Sequence, residues 1–224
     1  MALSQPIKAI ESDITGCEKC PRLRGYCAEI ARVKKRAYLN EDYWGRPVPG
    51  FGDPHARLLV LGLAPGAHGA NRTGRMVTGD SSGVWLYRAL FRAGFANQPE
   101  STRRDDGLKL QDAYVSCLVK CAPPENLPAR DEFLQCAPYW QSELASLPHI
   151  QVIVALGKIA FDSVLKFYET KRIRFSHGVQ VDLPTGVTLI ASYHPSQQNT
   201  FTGLLKEPEF DQIFILAKSL IHVQ

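Results

Sequence analysis

RLLVLGLAPGAHGANRTGRMVTGD, residues 57–80, joins two unlike textures. Arg57–Leu63 is a short continuous apolar run, as a strand covered on both faces must be. It empties into a loop with five glycines between Gly62 and Asp80, and a helical pattern follows from about Ser81. Working outward, Ala113–Val119, Gln151–Leu156 and Val187–Ala191 repeat the apolar run, with Val179–Leu183 a fainter candidate. Helical patterns lie at Gly83–Phe91, Ala129–Leu147, Gly157–Tyr168 and Pro208–Val223. Strand alternating with helix predicts an α/β fold, a parallel sheet with helices on both faces. Residues 1–52 hold a short helix, a cysteine pair and a basic helix, and read as an N-terminal extension of one domain over 1–224. Asn97–Gln111 is polar and reads as an exposed loop.

Ligands in open α/β sheets bind at the carboxyl ends of strands, where the glycine loop sits. It is not a dinucleotide fingerprint, since no glycine stands two after Gly62. Gly69 and Gly74 have P-loop spacing, but Arg75-Met76 replaces the Lys-Ser/Thr that such a loop needs. What remains is a loop whose glycines let backbone approach a ligand closely, carrying His68, Asn71, Arg72, Arg75 and a terminal Asp80. Asp80 also suits the N-cap of the helix opening at Ser81. A second constellation, Ser192-Tyr193-His194-Pro195-Ser196, follows the last strand and puts His194 at another carboxyl end. Beyond it Phe201, Leu204 and Leu205 read either as a staple into the core or as an apolar wedge for a base stack.

Composition bounds the function. Apolar residues are 45% and charged residues 21%, which suits a globular domain rather than a disordered or fibrous chain. No run of 18 apolar residues exists, so no membrane span is expected; Met1–Ser12 lacks a signal-peptide texture, so the cytosol or nucleoid is the expected location. A net charge of +4 permits a nucleic-acid partner without requiring one. The basic run Arg22–Arg36 reads as a solvated helix face or as a phosphate-facing patch.

Six cysteines are present. Cys17-Glu18-Lys19-Cys20 is a C-x2-C knuckle, and Cys121 and Cys136 follow much later, at a strand end and on a helix. Four such thiols suit zinc or a [4Fe–4S] cluster, and spacing alone does not choose between them or exclude buried free thiols. Cys27 and Cys117 read as core residues.

Taken together, GLAPGAHGANRTGRMVTGD (62–80), VKCAPPEN (119–126), SYHPSQQNTFTG (192–203) and the four spaced cysteines resemble the uracil-DNA glycosylase superfamily, in particular its type-5 (B-type) members. The resemblance spans nearly the whole chain. It implies a three-layer α/β/α sandwich around a four-stranded parallel sheet, and a [4Fe–4S] cluster on Cys17, Cys20, Cys121 and Cys136 tying the extension to the core. It implies a monomeric enzyme that flips deaminated bases, uracil and also hypoxanthine, out of DNA and hydrolyses the N-glycosidic bond. By the same resemblance Asp80 would direct the attacking water, Asn126 would help hold it, and His194 would donate to the leaving base. Gly62, Ala64, Gly66, Ala67 and His68 from the first half of the loop would face substrate. So would Asn71, Arg75 and Val77 from its second half, with Cys117 and Ser196 from the neighbouring strands. Two departures stand out: Val77 occupies a place where the family commonly has an aromatic, and Cys117 stands where related glycosylases carry a base-reading Asn. Two other classes compete: a non-catalytic iron–sulfur nucleic-acid binder, which needs neither Asp80 nor His194, and a hydrolase of free nucleosides, which needs no basic helix.

Overall fold

The computed structural model describes residues 6–221. Its elements, in chain order, begin with α1 (Ile7–Thr15), α2 (Pro21–Val33), β1 (Phe51–Gly52), β2 (Leu58–Gly62), α3 (Ala70–Thr73) and α4 (Ser81–Arg92). There follow β3 (Ala113–Cys117), α5 (Arg130–Ala145), β4 (Val152–Leu156), α6 (Lys158–Phe167), β5 (Gln180–Asp182), β6 (Thr188–Ser192), α7 (Gln197–Phe201) and α8 (Glu207–Leu220). The expected helix over 208–223 is thus described to Leu220, and its end at Val223 lies outside the described residues.

One sheet runs β1-β3-β2-β4-β6-β5. Its centre, β3-β2-β4-β6, is the expected four-stranded parallel sheet. The expectation falls short at both edges, where β1 and β5 pair antiparallel and raise the count to six. β1 was unreadable because it is two residues long, in a stretch whose glycines and prolines look like loop. It brings the end of the N-terminal extension into the sheet.

Alternate residues of the buried strands feed two cores. Leu58, Val60 and Val154 face Leu86 and Leu90 of α4 and Phe210 and Phe214 of α8. Leu59, Leu61 and Ile153 face Trp140 and Leu144 of α5 and Phe161 and Val164 of α6. The helix after β2 and the helix after β4 therefore lie on opposite faces of adjacent strands. That is a topological switch point, which opens a crevice at the carboxyl ends of the strands.

The polar skeleton was not legible in the sequence. Lys120 and Glu143, each 1% exposed, pair at 2.6 Å, and Lys120 Nζ also donates to Ser116 Oγ at 2.6 Å. Glu143 further accepts from the Gly50 amide at 2.9 Å, so the pair fastens β3, α5 and the N-terminal extension together. Buried charges survive only when so fully partnered.

Candidate active site

Asp80 caps α4: its Oδ1 accepts from the Gly83 amide at 2.9 Å. The capping role and a site role are not exclusive, because the second oxygen points elsewhere. A Cβ placed on Gly66 would stand 2.7 Å from Asp80 Oδ2, and one on Gly69 would collide with the carboxylate outright. The glycines of the loop exist, at these two positions, to let backbone close over that carboxylate. Burial raises the Asp80 pKa, while the Gly83 and Ser82 amides and the Arg72 charge pull it back.

The amides of Gly66, Ala67 and His68 find no acceptor among the described residues, whereas the Gly66 carbonyl accepts from Gly69 and Asn71 at 3.2 and 3.0 Å. Half-exposed donors without partners are what a ligand carbonyl or anion needs.

His194 follows β6. Its own carbonyl accepts from the Ser196 amide at 2.8 Å and from Asn199 Nδ2 at 2.9 Å, which fixes the loop. Its ring makes no hydrogen bond among the described residues. Burial pushes its pKa down to about 4, so the ring is neutral near pH 7, with one nitrogen a donor. β4 lies between β2 and β6, so the two loops leave from strands that are not neighbours. They meet nonetheless: Ser82 Oγ, two residues after Asp80, donates to the carbonyl of Pro195, one after His194, at 3.0 Å.

The other expected site residues separate. His68 stands beside this centre, its Nδ1 3.0 Å from Tyr43 Oη. Val77 is half-buried with a φ of 49°, an unfavourable backbone for a β-branched residue and a kind of strain that gathers at functional sites. Asn126 lies on an exposed turn after β3 with a φ of 57°; no hydrogen bond ties its side chain to Asp80 or His194. Arg75 is a correction. Its guanidinium is buried and held bidentate by Asp106 at 2.7 Å, with Ser101 and Thr78 completing its bonds, so it braces the 97–111 loop rather than facing a ligand. Ser196 caps α7, accepting from the Asn199 amide. Asn71 is fully buried and donates toward the Cys27 and Ala67 carbonyls. Cys117 is 1% exposed, its Sγ packed against Gly62 and its pKa pushed up to about 12 by burial, so it offers neither thiolate nor amide. Ala64 and Ala67 pack against Leu23, Cys27 and Cys121. The basic run is largely committed: Arg22 to Glu132, Arg24 to Glu18 and Gly45, Arg32 to Glu29, which leaves Lys35 and Arg36 exposed. Of the apolar trio, Leu205 is buried, whereas Phe201 is 82% and Leu204 51% exposed, so the staple and wedge readings divide between them.

Cys17, Cys20, Cys121 and Cys136 line one pocket, together with Lys19, Leu23, Arg24 and Tyr139. Among the described residues no three His, Cys, Asp or Glu side chains converge as the ligands of one metal ion. Four thiols lining one space are a donor set that an iron–sulfur cluster accepts. Two further bonds bear on them: the Lys120 amide donates to Cys136 Sγ at 3.2 Å, and Cys27, packed with Cys121 in one buried cluster, donates to the Ala122 carbonyl at 3.5 Å.

The model of the uracil DNA glycosylase superfamily matches residues 49–217. A type-5 uracil-DNA glycosylase of Mycobacterium tuberculosis is 49% identical over 215 residues, covering 94% of this chain and 80% of that protein. One from Thermus thermophilus is 47% identical over 215 residues, covering 95% of this chain and 97% of that protein. A type-4 enzyme of Pyrobaculum aerophilum is 27% identical over 195 residues, with 82% and 79% covered. On a crevice whose carboxylate and imidazole loops are bonded together, and on this breadth of likeness, the chain belongs to the uracil DNA glycosylase superfamily, in its type-5 branch.

Proposed function

We propose that the protein excises uracil, and with it hypoxanthine and other deaminated bases, from DNA by hydrolysing the N-glycosidic bond. The names of its relatives support uracil and DNA. The wider base range is supported by Cys117 and Val77, which present neither an amide to read a base edge nor an aromatic face to select one.

The chemistry follows from the two charges that bond cleavage creates. A base inside a duplex is out of reach and must be flipped out, at a cost of a few kcal/mol that is smallest for a mispaired base. The Asp80 carboxylate, when charged, favours the sugar cation and orients or deprotonates the water that captures it. Neutral His194 and the unpaired amides of the 66–68 turn donate to the leaving base as it gains negative charge. Asn126, on its exposed turn, helps hold that water. Phe201 and Leu204 stand ready to fill the stack the base has left, and Lys35 and Arg36 to meet phosphates.

Cys17, Cys20, Cys121 and Cys136 would hold a [4Fe–4S] cluster, which when bound supplies a cross-link between the N-terminal extension and α5. The Ser82–Pro195 bond carries the reading, because it makes one site of two loops. The test is a panel of duplexes, each with one lesion, scored for abasic-site formation, with iron and sulfide assayed in the same preparation. Excision of uracil and hypoxanthine by protein holding about four irons is expected; cleavage of free nucleosides alone, insensitive to salt, contradicts it.

A further inference from the structure

The loop that carries Asp80 is held from behind by the first of its two arginines, Arg72. Arg72, on α3, has a side chain only 6% exposed. Its Nε donates to the His68 carbonyl at 2.8 Å and its Nη2 to the Gly79 carbonyl at 2.7 Å, so it bridges the start of the loop to the residue before Asp80. A Cβ on Gly79 would stand 2.5 Å from Arg72 Nη2, which explains a glycine there beyond its φ of 85°. The N-terminal extension builds a cage around the guanidinium. Tyr38 lies 3.9 Å beneath it, Glu41 pairs with it, and the Trp44 amide donates to the Arg72 carbonyl at 2.9 Å.

We propose that Arg72 is a positioning residue for base excision: it fixes the Gly79–Asp80 turn and sets a permanent positive charge behind the Asp80 carboxylate. Burial of Asp80 alone works against its charged form, and a carboxylate that takes up a proton can neither steer water nor favour a sugar cation. Arg72 is a cation acting on Asp80 in this way, beside the Ser82 and Gly83 amides; Cys117, protonated, lies on the β3 side. Glu41 and His68 flank Arg72 on its other sides, and Lys35 faces His68. The extension is then part of the active site, since Tyr38 and Glu41 hold the charge that keeps the carboxylate ionised.

The inference rests on Asp80 acting as proposed above. The experiment is single-turnover uracil excision as a function of pH, with thermal unfolding recorded for each variant. Arg72→Gln removes the charge, and the acidic limb of its profile should move up by about one pH unit. Glu41→Gln, at a 46% exposed side chain, keeps an acceptor but removes the charge that neutralises Arg72, and should move the limb down by a few tenths of a unit. A purely structural arginine would slow excision without moving either limb. A folded Arg72→Gln with the wild-type limb overturns the proposal. If that variant does not fold, Glu41→Gln decides alone: a lowered limb supports it and an unmoved one overturns it. Wild-type excision by Asp80→Asn would instead remove the catalytic reading underneath.

Discussion

Ser82 and Pro195, 113 residues apart in the chain, meet through a 3.0 Å hydrogen bond from hydroxyl to carbonyl that joins the first turn of α4 to the loop after β6. Because Asp80 caps that turn and His194 precedes that proline, the bond ties together the loops of the two groups proposed above to do the chemistry. Ser82→Ala is expected to lower kcat/KM for uracil excision about tenfold, the equivalent of about 1.4 kcal/mol, with little change in unfolding temperature. Unchanged kinetics would show that the two loops hold their spacing without it.

Gly69→Ala puts a Cβ into the Asp80 carboxylate. It should cost about 100-fold in excision, on the scale of losing one preorganised electrostatic group, while circular dichroism stays native. Gly25→Ala is the matched control. It lies in α2 with open space around its Cα and should raise stability by about 0.5–1 kcal/mol without touching activity.

Arg75 and Asp106 are a buried bidentate pair, and the bonds from Arg75 and the Leu108, Thr102 and Arg103 amides hold the Asp106 carboxyl well below the usual carboxylate range. Asp106→Asn should cost about 3–5 kcal/mol in urea unfolding, with excision at low temperature near wild type. A carboxyl depressed in the folded state contributes its stability above its unfolded pKa, so the wild type should lose this contribution as pH falls below about 4. The Asn variant should lack that part of the acid dependence.

His194 titrates in the same sense as Asp106, except that the deprotonated form the fold favours is the neutral one. Its folded pKa of about 4 lies below its ordinary 6.5, so the unfolded chain binds the proton first. Stability from this group is intact above about 6.5 and declines as pH falls toward 4, by up to about 3 kcal/mol. His194→Asn should flatten the stability profile in that window, as read by chemical denaturation at several pH values. A variant curve parallel to wild type would mean that the ring is charged or solvated in the fold.

The parallel centre of the sheet was legible because its strands are apolar on both faces, and the meeting of the Asp80 and His194 loops because each leaves the carboxyl end of a parallel strand. What escaped was set by distance. β1 is two residues of unremarkable sequence, and the Lys120–Glu143 pair joins positions 23 apart with no local signature. The two arginines of the loop read alike in sequence. Only the fold shows that Arg75 turns to Asp106 in a distant loop while Arg72 turns to Gly79 and the N-terminal extension. The four cysteines were legible as a set, whereas the contact of Cys27 with Cys121 depends on how α2 packs.

Single-turnover excision of uracil from a duplex oligonucleotide by Asp80→Ala and His194→Ala tests the account most directly. Each variant, folded and bound to DNA as tightly as the parent, should lose about 100-fold or more in rate. Wild-type rates in both variants would contradict it, and the crevice would have to be assigned some other chemistry.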